Sequence, residues 1–514
     1  MTSAAPAASS TDASTRRAGR GILSITGSKL YFIVAGYAVQ LLLPRLLGSP
    51  EKFGLFSAAM SFVSILNNVL ITATIQVVSK RVSEDVVHKD VTLREALKLQ
   101  LIAGAAIAGT LAVASGPLAD TMLDPLLAPL YRLSAVVVMS YALYAALIGA
   151  LNGQQNFAAQ AGFDVGYTTL RSGAMLVAAA LGFGVLGTFS GFASAAVVVL
   201  LAAFMIVGAG KPSEHGRSPN WGGWLALMAP LWFYQLCLNA ILQIDVTLLK
   251  RTIAELALSA GQEPTAAADL ASRYVGFYRA AQNFAFIPYQ LILSVAFVIF
   301  PMVSQAVSLG DEVATQRYIR GALRFSLLVL CATAAPIAGA SAGVMRIVFT
   351  GEYMAGSQAL ALLSIGMVCF ALFVIAATIM SGAGRPGLSA AVAAITAALV
   401  IAGNLVLVRR AGLGEQALLA AAGGTTLGTT FAMIVMAFAV WLRFKAFIEW
   451  PTAVRTLLAA GAGFAVAHAV PTSSKPMALV ALIAGGVAYL IALVLVRELG
   501  KQDLDTVLRV VRRK

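Results

Sequence analysis

Charge is scarce in this sequence. Only 11% of its 514 residues are Asp, Glu, Lys or Arg, where a soluble domain carries roughly 25%. A chain with so little polar surface cannot coat itself for water, so a soluble globular fold is excluded. Histidine and cysteine each occur only three times. His88, His215 and His468 are scattered, and their spacing builds no metal site. Cys237, Cys331 and Cys369 fall in apolar blocks without redox or metal spacing and read as small core residues. Strict two-residue alternation over ~10-residue segments, the mark of a membrane β-barrel, is absent too.

What the chain has is hydrophobic length. Apolar residues make up 59% of it and the mean hydropathy is +0.86. They come in blocks of about 20, enough for a helix to cross ~30 Å of hydrocarbon. Candidate spans fall at 22–46, 54–79, 97–117, 131–151, 164–186, 189–209, 223–249, 275–303, 321–345, 357–381, 387–408, 415–441, 453–471 and 477–497. The chain therefore reads as an all-α polytopic membrane protein with about 14 transmembrane helices.

The net charge of +14 admits two explanations. Nucleic-acid binding is one. The other is the excess of Lys and Arg that cytoplasmic loops of membrane proteins carry. With the N-terminus inside, 24 basic residues fall on inner segments and 10 on outer ones, leaving Lys29 and Arg279 within spans. That asymmetry favours the membrane explanation, with no nucleic-acid partner and both termini cytoplasmic.

Residues 1–21, rich in Ala, Ser and Thr, read as a disordered tail. Arg16, Arg17 and Arg20 resemble the charged start of a signal peptide. The apolar stretch behind them is too long for one, so it reads as an uncleaved first helix. The expected organisation is an N-lobe of six spans at 22–210, a polar linker at 211–222, a C-lobe of six spans at 223–445, two further spans at 446–497 and a cytoplasmic tail at 498–514. In the tail Leu504, Val507, Leu508 and Val511 share a helical face beside an Arg/Lys cluster, which suits an inner-leaflet surface helix. The longest outer segment is 250–274.

An internal repeat supports the two lobes. FGLFSAAMSFV (53–63) aligns with VGFYRAAQNFA (275–285) through Gly54/Gly276, Ala58/Ala280, Ala59/Ala281 and Phe62/Phe284. LLPRLLG (42–48) parallels LLKRTIA (248–254), and LNGQQNF (151–157) occupies the inner loop matching MSGAGRP (380–386). Two pseudo-symmetric six-helix lobes plus two C-terminal helices follow, an arrangement in which repeats commonly meet at a substrate path.

Polar residues concentrate in spans 1 and 2 and in their repeat equivalents, 7 and 8. The first carries Thr26, Lys29, Gly36 and Gln40 on one face. In the second, Ser57, Ser61, Ser64, Asn68, Thr72 and Ser79 form a stripe. The seventh has Gln235, Asn239 and Gln243, with Asp245 on another face. The eighth aligns Arg279, Asn283, Phe286, Gln290 and Ser304. A charge at bilayer depth costs ~2.5–3.5 kcal/mol on insertion scales, so Lys29, Asp245 and Arg279 each require a reason. Lys29 either snorkels to the inner interface or faces a cavity. Asp245 and Arg279 either pair structurally, with Lys250 as another partner for Asp245, or serve function. The amides and hydroxyls either glue helices together or line a hydrated cavity.

Segments 36–84, 150–174, 242–250 and 275–305 resemble the polysaccharide-transporter branch of the multidrug/oligosaccharidyl-lipid/polysaccharide (MOP) superfamily, which holds Wzx-type O-antigen flippases and, more distantly, the lipid II flippase MurJ. The most specific piece is G-x-Y-x-A-A-Q in the eighth span, here GFYRAAQ (276–282). The resemblance implies two lobes opening alternately to each side of the bacterial inner membrane. It implies a polyprenyl-diphosphate-linked glycan as substrate, cavity cations that hold the diphosphate, and no enzymatic step. Arg279 stands at such a cationic position and Lys29 is a candidate for another. Asn283, Gln290, Gln40, Asn68, Gln235, Asn239 and Gln243 would meet sugar hydroxyls, and Trp232, Tyr234 and Phe286 would stack on sugar rings. No cofactor is expected beyond a coupling H+ or Na+, for which Asp245 is the candidate. Membrane lipid, a glycan polymerase and glycosyltransferases are the expected partners.

Two alternatives use the same residues differently. A cation antiporter of the same broad fold needs acidic cavity residues, and only Asp245 offers one. A membrane glycosyltransferase or glycan ligase needs catalytic carboxylates near a substantial outer loop. Glu51, Asp120, Asp124, Glu255, Glu263 and Asp269 are instead scattered over modest loops.

Overall fold

A computed structural model describes residues 8–85, 87–212, 221–349 and 351–500. Side chains are also left undescribed for 8–26, Lys29, 294 and 296–298. The described residues are all-helical, and eleven helices are long and apolar enough to cross a membrane. In order the helices are α1 (Ala8–Leu47), α2 (Pro50–Glu84), α3 (Lys89–Val113), α4 (Ser115–Thr121), α5 (Leu127–Gly153), α6 (Phe157–Ala180), α7 (Gly184–Val207), α8 (Trp221–Ser259), α9 (Pro264–Ala285), α10 (Ile287–Ser308), α11 (Glu312–Gly339), α12 (Ser341–Val348), α13 (Ser357–Gly382), α14 (Pro386–Ala411), α15 (Glu415–Phe444), α16 (Trp450–Ala469) and α17 (Lys475–Leu495). Each of the fourteen expected spans maps onto one of these or onto a consecutive pair.

Local chemistry sets the helix ends. Ser49 caps α2 by accepting from the Lys52 amide, with Pro50 in the first turn, where its missing N–H costs nothing. Asp311 caps α11 by accepting from the Ala314 amide at 2.8 Å.

Three expectations need correction. Helix α1 begins at Ala8, so residues 8–21 are helical and not an irregular tail. The outer segment 250–274 is not a loop either. Helix α8 continues through Ser259 and α9 starts at Pro264, leaving only residues 260–263 between them. Hydropathy marks where lipid ends, not where helix ends, and Arg251 pairs with Glu255 one turn on at 2.8 Å. The turn closes through Gly261, at φ +83. Finally, the eighth span is two helices. Phe286 separates α9 from α10, and Pro288 just beyond has no N–H to offer the carbonyl of Phe284. Most of the linker, at 213–220, and the tail helix expected around 504–511 lie outside the described residues.

The chain divides into two compact units, Met1–Asn239 and Ala240–Lys514, with the boundary inside α8. In the first, α5 packs on α2, α3 and α7, and α6 packs on α7 and α1. In the second, α13 packs on α10, α11 and α15, and α14 packs on α15. Taking the spans in order, the pairings of α5 with α2, α3 and α7 and of α6 with α7 recur in the second unit. The central helices are equivalent too: α5 and α13 contain the two most buried apolar windows, at 78% and 72%. Helices α16 and α17 pack on each other and on α11, outside the repeated pattern.

Two glycines show why the repeated loop motifs matter. Gly153 of LNGQQNF lies against α2, where a Cβ would come within 2.6 Å of the Ser79 carbonyl oxygen. Gly382 of MSGAGRP lies against α10, where a Cβ would approach the Phe300 carbonyl to 3.1 Å. Each lets its unit's central helix approach a neighbour at backbone distance.

Candidate functional site

In the second unit the polar residues of α8 and α9 meet around Asp245. This carboxylate is fully buried. Tyr278 donates to Oδ2 at 2.8 Å, and Thr425 of α15 donates to the same oxygen at 3.0 Å. Gln282 Nε2 spans both oxygens, at 2.9 and 3.1 Å, and the Val246 amide donates to Oδ1 at 2.8 Å. An ionised carboxylate only accepts, and every one of these neighbours donates.

Arg279 lies on the other side of Gln282 and is 8% exposed. Its Nη1 donates to Gln282 Oε1 and to Gln243 Oε1, both at 3.0 Å. Gln282 therefore bridges the two buried charges, with its amide nitrogen on the acid and its amide oxygen on the base. Lys250 is wholly buried as well and donates to Ser272 at 2.6 Å. One turn along α9 from Arg279, Asn283 is 6% exposed and its Nδ2 has no hydrogen-bond partner. A buried unsatisfied donor costs about 1–3 kcal/mol. Gln290 is half-buried on α10, beyond the break at Phe286, so the stripe drawn from Arg279 to Gln290 bends between the two helices.

The motif GFYRAAQ becomes intelligible here. Tyr278 and Gln282 are four residues apart, hence on one helix face, and both hold Asp245. Ala280 and Ala281 are fully buried. Arg279 occupies one of the motif's unspecified positions. Gln282 was passed over as a site residue, although the motif that contains it pointed there.

In the first unit, Asn68 is exposed on α2 and donates to Asn239 Oδ1 at 2.8 Å. Asn239 in turn donates to the Gln235 carbonyl. Gln235 and Gln40 are half-buried, and the side chain of Lys29 lies outside the described residues. The stripe on α2 divides in two: Ser57 and Ser61 are buried in packing, whereas Asn68 faces outward. The loop motif LNGQQNF is structural. Asn152 accepts from Ser79, Gln154 accepts from Lys89, and Asn156 caps α6.

The first unit also holds a charged cluster that the sequence reading missed. Arg171 lies well inside α6, where the charge count had placed it on an inner segment. It donates to the Tyr167 hydroxyl at 3.2 Å and lies over the rings of Tyr167 and Phe192, at 5.9 and 5.2 Å. The hydroxyls of Tyr141 and Tyr167 are hydrogen-bonded to each other. Tyr144 is 6% exposed with its hydroxyl unpartnered. Asp164 is two turns before Arg171 on the same helix. The position of Arg171, seven residues into the expected span 164–186, was the available signal.

Among the described residues no group of His, Cys, Asp and Glu is arranged to hold a metal. The three cysteines are buried and unbridged.

The long apolar helices make this a multi-pass membrane protein, and its fold is that of MOP-superfamily transporters. The lipid II flippase MurJ, in an inward closed conformation, matches with a TM-score of 0.75 at 14% identity, over 92% of this chain and 99% of its own. An inward-facing MATE-family multidrug resistance transporter matches at 0.61 and 18% identity, over 81% and 94%. A MOP-superfamily transporter from Pyrococcus furiosus, described by the reverse polarity of its binding pocket, matches at 0.60 and 17%, over 83% and 96%. No curated protein matches the sequence. The family itself is given by sequence: the profile described as "Polysaccharide biosynthesis protein" matches residues 18–307, more than half of the chain, which thus belongs to that family.

Proposed function

We propose that this protein is a flippase that carries an undecaprenyl-diphosphate-linked oligosaccharide from the inner to the outer leaflet of the bacterial cytoplasmic membrane by alternating access, for O-antigen-type or related polysaccharide biosynthesis. One observation carries the reading: a buried, amide-oriented Arg279 beside the unpartnered amide of Asn283. A diphosphate carries about two negative charges and cannot cross lipid unaided, and Arg binds phosphate through a planar fork of donors. Gln243 and Gln282 fix the plane of that fork. Asp245 holds Gln282, so its role in this reading is to orient the arginine. In the second unit the glycan would meet Asn283 and Gln290; Gln235, Asn239, Asn68 and Gln40, with Lys29 as a cation, are the polar groups the first unit would offer it.

An inside-negative potential favours outward movement of each negative charge by ~2.3 kcal/mol per 100 mV. Coupling to H+ or Na+ through Asp245 makes a separate expectation: Asp245→Asn at normal protein level would then lose gradient-driven transport. A glycan polymerase and glycosyltransferases are the partners this role calls for. Against the cation-antiporter alternative, the oxygens of Asp245 are already occupied by donors.

Measuring glycan export and protein level together tests the reading. Arg279→Ala reaches the membrane at the wild-type level but leaves lipid-linked glycan on the inner leaflet, whereas Arg279→Lys retains part of the activity. Wild-type export from Arg279→Ala overturns it. The orientation is tested separately. A cysteine at Leu309, between α10 and α11, labels only from the cytoplasm, and one at Gln262, between α8 and α9, only from outside. Labelling of both from one side refutes the topology.

A further inference from the structure

A second basic site lies far along the chain from Arg279, where α11, α16 and the end of α17 come together in the second unit. A cavity of about 650 Å³ there is lined by five arginines, Arg317, Arg320, Arg324, Arg455 and Arg497, against two glutamates, Glu449 and Glu498. Three positive charges are in excess. The glutamates do not simply cancel their neighbours. Glu498 is 4% exposed and works as an anchor. It accepts from Arg324 Nε at 2.9 Å and from Thr452 at 3.0 Å, with Arg455 at 3.7 Å. Arg324 also donates to the Glu498 carbonyl at 2.6 Å. One buried carboxylate, in the turn after α17, thus ties that turn to α11 and α16 and holds Arg324 and Arg455 on the cavity wall. Arg320 meets Glu449 only at 3.8 Å, between exposed side chains. Arg317 and Arg497 are exposed on the rim.

Basic residues at this end of the bundle are expected from the charge asymmetry alone, and a solvated basic face would need no further account. The second observation is what changes this. An apolar cleft of about 420 Å³, lined by Val295, Ile299, Met302, Ala322 and Phe325 with Tyr318, runs between α10 and α11 and shares Arg317 and Gly321 with the basic cavity. Hydrocarbon wall and cationic wall are therefore continuous, and they join at a glycine. A Cβ placed on Gly321 would meet nothing within 4 Å. No packing within the protein requires that glycine, and its lack of a side chain keeps the passage open.

We propose that this composite site binds one anionic phospholipid of the bilayer, with its headgroup phosphate among Arg317, Arg320 and Arg497 and an acyl chain along Val295, Ile299, Met302 and Phe325. The occupant follows from the complementarity: a soluble anion would leave the apolar cleft unused, and a neutral lipid would leave three cations unmatched. Basic pockets between helices at the membrane surface suit such headgroups, each Arg near the surface contributing about a fivefold gain in affinity. The site does not depend on Arg279 or on the transported substrate. Only its assignment to the inner leaflet rests on the proposed orientation.

The test uses the full-length purified chain in mixed micelles containing equal phosphatidylglycerol and phosphatidylcholine, with bound lipid read by native mass spectrometry. Phosphatidylglycerol should be retained and phosphatidylcholine not. Arg317→Gln with Arg497→Gln should weaken retention about 25-fold. Gly321→Leu should abolish it with an unchanged melting temperature, which keeps the proposal falsifiable if the double variant misfolds. Arg279→Ala should retain the lipid fully, so failure here and failure of the flippase reading are distinguishable. Equal retention of both lipids overturns the proposal, as does full retention by Gly321→Leu. Displacement by excess glycerol 3-phosphate would make it a pocket for soluble anions. Displacement by undecaprenyl phosphate at equal concentration would make it part of the substrate path. Either result also overturns it.

Discussion

The two units share one helix plan and hold arginines within their spans in opposite ways. In the second, Arg279 is steered by amides: Gln243 and Gln282 take its hydrogens, and Gln282 is itself fixed by a carboxylate. In the first, Arg171 is steered by rings, lying over Tyr167 and Phe192 with a tyrosine hydroxyl as its acceptor. Amide acceptors set the plane and direction of a guanidinium group. Aromatic faces hold its charge and leave direction loosely determined. The repeat partner of Arg279 is Ser57, which is buried in packing. The repeat therefore conserves architecture and not chemistry, and each unit built its own polar interior.

The largest effect should come from removing the directed arginine. Arg279→Ala should lower export about 10- to 150-fold, the worth of one lost charge-assisted contact of 1.5–3 kcal/mol, with protein level unchanged. A larger loss of export than of stability is what sets it apart from a structural residue. Next is its orienting acid. Asp245→Asn puts an amide N–H among four donors, leaving a buried donor unsatisfied, and should destabilise the protein by about 1–3 kcal/mol, seen as reduced melting temperature in detergent. Adding Arg279→Gln should restore much of that stability if the acid serves mainly to balance the base. In the first unit, Arg171→Gln should cost only about 1 kcal/mol, because ring contacts are weaker than a bonded ion network. Should Arg171→Gln instead match Arg279→Ala in blocking export, the contrast between the units collapses and both arginines belong to the transport path. The smallest effect is expected at Asn68→Ala, about 0.5–1 kcal/mol, since its bond to Asn239 is exposed.

Class, span order and repeat were legible in the sequence because they depend on composition over about 20 residues. The glycine of LNGQQNF and the glycine of MSGAGRP match in sequence, and each meets the backbone of a neighbouring helix. The site was half legible. Asp245 and Arg279 stood out as charges in apolar surroundings, and they do lie in one network. The amide that joins them did not stand out, because a glutamine in a span has many uses and only a tertiary contact selects one. Arg171 was miscounted for a related reason. Charge asymmetry assigns a residue to a side of the membrane from the nearest span end, and it is blind to a cation that rings can shelter. The lengths of α8 and α9 beyond the hydrocarbon were illegible to hydropathy, since those turns are held by pairs such as Arg251 and Glu255. The arginine cavity at α11, α16 and α17 joins residues almost two hundred positions apart, and no local pattern announces it.

The joint at Phe286 divides the eighth span into two pieces with different attachments. Helix α9 holds the residues that grip Asp245 and also packs on α13, whereas α10 is fastened mainly to α11 and α13. A rod with one missing rung bends there at the least cost, because the carbonyl of Phe284 has no amide from Pro288 to stretch. Leverage applied to α10 would then be absorbed at the joint before it reached the arginine. The span can act as an articulated strut, with α10 moving with α11 about the joint and α9 acting as the mount for the charge.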